Sequence, residues 1–195
     1  MSHVTRHTSL PAFTLIEVLL VVLIIGILAA TGFSSIGKFT ESASAGSARD
    51  RIISMINKAR SYALNGRDTH WCSEASGVVG ATGDKKVPES YGVKIIFSGT
   101  PQKLQLLALD SKNPPSPCIM EERNLFEKAG MLAKTQTEIT GDQEFYYSVP
   151  FGDFSMKNPP AASSNITINI YPPNADENTT PLRTVTINKN IGIPE

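Results

Sequence analysis

The chain has 195 residues, with 18 Lys+Arg against 18 Asp+Glu. That length suits one globular domain plus an added element, not two full domains. The balanced charge gives no push toward nucleic acid, and the densest basic features are pairs and near-pairs such as Lys85-Lys86 and Arg49/Arg51, so no direct nucleic-acid binding is predicted.

Residues 1–12 form a short polar leader that carries His3, Arg6 and His7 and no acid. From Phe13 to Phe33 the sequence is nearly all apolar, with Glu17 its one charge. As a helix this stretch would be about 31 Å long, close to one bilayer core. The positive leader would stay on the cytoplasmic side and the C-terminal bulk would face outward. Three readings fit such a segment. One is a secretory signal peptide cut near Leu28-Ala29-Ala30, although Leu28 is a poor residue three positions before a cut. The second is a plain membrane anchor. The third is a leader removed just before the apolar stretch. Glu17 separates them: a carboxylate within a span costs about 2.5–3.5 kcal/mol on insertion scales, and only the third reading gives it a purpose.

The stretch Ala12-Phe13-Thr14-Leu15-Ile16-Glu17-Val18-Leu19-Leu20 resembles the class III signal sequence of type IV pilins and type II secretion pseudopilins. The resemblance implies a prepilin peptidase that cuts between Ala12 and Phe13 and methylates the new N-terminus, leaving 183 residues. Ala12 stands where the family usually has glycine. The resemblance also implies that Phe13 and Glu17 act in assembly. Cleavage creates an α-amino group on Phe13, and pairing it with Glu17 of a neighbouring subunit relieves two costly charges in a low-dielectric bundle. The implied partners are the peptidase, other pilin or pseudopilin subunits, an inner-membrane assembly platform and the lipid bilayer. The implied location is a single-pass inner-membrane protein with its C-terminal domain outside the cytoplasm, then a filament.

No proline interrupts Lys38 to Leu64. Ala45, Ala48, Ile52, Ile56, Ala59 and Ala63 recur in steps of three and four, which predicts an amphipathic helix with one apolar stripe. Joined to the apolar stretch it would run from about 14 to 65, roughly 78 Å. Asn65-Gly66 is the stop signal. The expected organisation is a leader (1–12), an apolar assembly half of the helix (13–33), an amphipathic half (34–66) and a β-rich exported domain (67–195). Ala59-Arg60-Ser61-Tyr62-Ala63 is similar to the end of the long helix in minor subunits of the FimT and GspH type.

Beyond Trp71 the pattern changes to short strands and loops. Ser73 to Pro88 is predicted as a surface loop. Tyr91–Phe97 and Leu104–Leu109 are predicted to pair across Ser98-Gly99-Thr100-Pro101. Asp110 to Pro117 reads as a loop, and 121–134 fits either a short helix or a connector. Phe145–Val149 and Asp153–Met156 read as short strands. Ile166–Ile170 and Thr184–Ile187 alternate cleanly and predict a closing hairpin. The expected fold class is therefore α+β, pilin-like, with one long N-terminal helix, membrane-spanning in its first half, packed on an antiparallel sheet.

The two cysteines, Cys72 and Cys118, are a disulfide candidate in an exported domain. The loop closed would be about 47 residues, worth roughly 4 kcal/mol on the chain-entropy model. Two free thiols are the alternative. The proline-rich run Pro114-Pro115-Ser116-Pro117 predicts that Cys118 lies outside the core. His70 reads as an exposed loop residue, and Glu121-Glu122-Arg123 as a solvated face. Asn174 to Thr180 places oxygen atoms at alternate positions, as calcium loops do, but lacks the turn glycine and closing glutamate, so a polar turn competes. No catalytic constellation, metal-ligand spacing or cofactor motif is evident. The sequence predicts a structural filament subunit and not an enzyme. The competing class is a single-pass anchored extracellular domain, binding or catalytic, that does not assemble.

Overall fold

The computed structural model describes residues 14–70, 85–110, 117–127, 130–135, 141–157, 165–176, 178–188 and 190–194, with side chains of 30–36 outside that description. The leader 1–12, Phe13, Cys72 and most of the loops predicted over 73–88 and 110–117 lie outside the described residues. The chain divides into two compact units, Met1–Thr40 and Glu41–Glu195, each described here by itself.

The helical element α1 is Leu15–Leu64. Among the described residues ten strands follow: β1 (Thr69–His70), β2 (Lys85–Lys86), β3 (Ser90–Ile96), β4 (Lys103–Leu109), β5 (Cys118–Asn124), β6 (Leu132–Thr135), β7 (Gln143–Ser148), β8 (Phe154–Met156), β9 (Asn165–Tyr171) and β10 (Arg183–Asn188). They form three sheets, ordered β1-β2, β10-β9-β6 and β5-β4-β3-β7-β8. The expected pilin-like arrangement, one long membrane-spanning helix on one sheet, is corrected on both counts. Beyond α1 the described residues are mostly β, with their strands divided among three sheets. The helical stretches with described side chains, 15–29 and 37–64, hold 15 and 28 residues. Among the described residues no helix is long and apolar enough to cross a membrane. The single-pass inner-membrane placement is overturned with it.

In the second unit the 45–63 stripe of α1 is the centre of the core. Ala45, Ala48, Ile52, Ile56, Ala59 and Ala63 are all buried. Alanines at four of the six positions bring the helix backbone close to the sheets, while each fully buried isoleucine contributes about 1.5–3 kcal/mol of burial. Tyr91, Val93 and Ile95 of β3, Leu104, Leu106 and Ala108 of β4, and Phe145 and Tyr147 of β7 meet the stripe. Ile166, Ile168 and Ile170 of β9 with Val185 and Ile187 of β10 complete the same cluster. The helix ends as Asn65-Gly66 predicts. Gly66 adopts φ +55°, its N–H donates to the Ala63 carbonyl (3.3 Å), and the Arg67 N–H donates to the Tyr62 carbonyl (3.2 Å). Those two bonds are a Schellman closure, and the positive φ is why glycine stands there.

One side chain joins the two larger sheets. Gln102, in the β3–β4 connection, is 5% exposed. Its Nε2 donates to the carbonyls of Phe97 and Ala133 (3.1 Å each), and its Oε1 accepts the Ala133 N–H (2.8 Å). It thereby satisfies both backbone groups of Ala133 on the outer edge of β6, as a neighbouring strand would.

The face of the five-stranded sheet opposite α1 carries a polar row across paired positions: Glu144, Lys94, Gln105 and Glu122. The Glu144 carboxylate accepts from the Tyr146 hydroxyl (2.8 Å) and pairs with Lys94 (3.1 Å) and Lys157 (3.0 Å). Burial pushes this carboxyl up, and the Tyr146, Lys157 and Lys94 donors outweigh burial, so it is held below the usual carboxylate range. A lowered folded pKa gives stability that is complete above the unfolded value of about 4.3 and disappears as pH falls through the folded value. Glu144→Gln is therefore expected to flatten the loss of unfolding free energy between about pH 5 and pH 3 in urea titrations. An unchanged pH slope would contradict this role.

Candidate assembly surface

The first turn of α1 is built by a hydroxyl. Thr14 precedes the helix, and its Oγ1 accepts the Glu17 N–H (3.3 Å). The Thr14 carbonyl accepts the N–H groups of Glu17 (3.0 Å) and Val18 (3.3 Å). Thr14 is thus the N-cap, and Glu17 occupies the third helical position. The spacing Thr14-x-x-Glu17 is that of a capping box, and a carboxylate in the first turn faces the positive end of the helix dipole. Of the sequence-predicted assembly residues, Glu17 is exposed at this helix start, and Ala12 and Phe13 lie outside the described residues.

From Leu15 to Leu28 Glu17 is the one charged residue, and beyond that first turn the helix is apolar on every side. Twelve large side chains, Leu15, Ile16, Val18 to Ile25, Ile27 and Leu28, are each 48% to 82% exposed. A surface helix of a globular protein normally keeps one polar face, whereas a helix apolar all round is one that other elements surround. Leu15, Val18, Leu19 and Val22, spaced i, i+3, i+4 and i+7, line a shallow apolar depression on one face. The described apolar area far exceeds single scattered hydrophobics, the pattern that marks an interaction surface.

The sheet edges are less suited to association. Besides the Gln102 bridge on β6, Arg49 Nε donates to the Thr184 carbonyl of β10 (3.4 Å), and Arg51 Nη1 to the Asn124 carbonyl of β5 (3.0 Å). Edge strand β5 also carries a bulge opposite Leu106/Leu107 and the charges of Glu121, Glu122 and Arg123, while β8 is only three residues long. Short, bulged and charged edges resist strand addition.

The remaining predicted sites are placed as follows. Cys118 opens β5, pairs opposite Ala108 of β4 and is fully buried, which corrects its expected place outside the core. The proline run ends at Pro117, and the strand turns the next side chain inward. Among the described residues no cysteine is free, and Cys72 lies outside them. Of the predicted solvated face, Glu122 and Arg123 are exposed, whereas Glu121 is half-buried and pairs with both Lys58 of α1 and Arg123. The Lys58 ammonium and, after the opposing effect of burial, the Arg123 guanidinium hold its carboxyl below the usual range. His70 is half-buried in β1, opposite Lys85 of β2, rather than in an exposed loop.

In the Asn174–Thr180 loop the Asp176 carboxylate accepts the Thr179 hydroxyl (2.5 Å) and the Asn178 N–H (3.2 Å). The Thr179 hydroxyl holds that carboxyl below its usual range. These bonds make a self-closed polar turn, helped by Asn174 at φ +61°. Among the described residues no group of three or more His, Cys, Asp or Glu is placed to hold a metal ion.

Comparison with protein-family models, with characterised proteins and with solved structures finds no match to this chain.

Proposed function

We propose that this chain is a structural subunit of a filament of the type IV pilus or type II secretion kind, in the role of a minor pilin or pseudopilin. The observation that carries the reading is the Leu15–Leu28 stretch, exposed and apolar on all sides, beginning at a Thr14 cap with Glu17 one turn in. Covering such a helix takes several neighbours, and identical helices from other copies supply the same apolar chemistry. The blunted sheet edges turn association away from the strands and toward α1.

In this reading a prepilin peptidase removes residues 1–12 and methylates Phe13. An assembly platform then adds the subunit to the filament through α1, with the force supplied by an ATPase elsewhere in the machine. The protein's own work is packing and register, not catalysis. The chain is expected in filaments sheared from cells that hold the complete machine, at levels well below the major subunit. Its absence from that fraction, with the folded chain abundant elsewhere in the cell, would overturn the proposal.

A further inference from the structure

We draw no further inference here: the strongest candidate, the groove between the 43–58 face of α1 and the edge strand β5, has Arg51, Lys58 and Arg123 already paired with Glu127 and Glu121, and nothing in the structure shows what covers it.

Discussion

Gln102→Leu is expected to lower unfolding free energy by about 3–5 kcal/mol, read as a drop in urea midpoint at unchanged slope. The replacement keeps the approximate volume and the apolar stem. It removes the two bonds that hold Ala133 and the one to the Phe97 carbonyl. Ala133 is 1% exposed, so its N–H and carbonyl would stay buried without a partner. Each such group costs about 1–3 kcal/mol, more than the intact bond contributes. The loss should fall first on β6, whose outer edge is otherwise held by Gln102, and hydrogen exchange at Ala133 should accelerate before exchange in β3. A loss under about 1 kcal/mol would mean that the two sheets are joined by apolar packing alone.

Glu17→Val is expected to leave the fold intact and to remove the chain from filaments. Glu17 is exposed at the start of α1, so its replacement should change the stability of the 41–195 unit by less than about 0.5 kcal/mol. In the proposed assembly its carboxylate meets the α-amino group of a neighbouring subunit. At ~4 Å and an effective dielectric of ~20 that attraction is about 4 kcal/mol before desolvation is counted. Half of it surviving would still be worth more than tenfold in incorporation, since about 1.4 kcal/mol is a factor of ten. Glu17→Gln is the sharper control, because it keeps the size and hydrogen-bonding capacity and removes only the charge. The amount of each variant in sheared filaments, relative to total folded chain, is the readout. Incorporation of Glu17→Val at the wild-type level would remove the charge-pairing account.

The features legible in the sequence are those set by local periodicity. The helical stripe from Ala45 to Ala63 follows from steps of three and four, and every position in it is buried. The strands around Val93, Leu106, Tyr147, Ile168 and Val185 were visible as apolar or alternating runs, and β9 and β10 pair as the predicted hairpin. β5 was not visible, because Glu121-Glu122-Arg123 and a bulge break its alternation. Burial of Cys118 went unseen for the same reason: the strand that turns it inward has no sequence pattern. β6 is four residues long and depends on Gln102, a contact 31 residues away in sequence that no local rule supplies. Alternation tells which side chains share a face, but it does not tell which strands pair, so one sheet was expected where the described residues form three.

At the candidate site the balance differs. Glu17 drew attention as the lone charge in an apolar run. Thr14 did not, although Thr14-x-x-Glu17 is itself a helix-start signal. The structure adds a local role for this pair: the hydroxyl closes the first turn, and the carboxylate lies at the positive end of the helix. The membrane expectation came from counting apolar residues through Phe33. Among the described residues no helix is long and apolar enough to cross a membrane, and the exposed apolar surface of α1 has to be covered by protein in the proposed filament.

The most direct test of the filament reading is the intact mass of the chain recovered from cells that carry a prepilin peptidase. The account predicts loss of residues 1–12 and one added methyl group on Phe13. A chain that retains Met1 in the presence of active peptidase, or one that begins after Ala30, would contradict it.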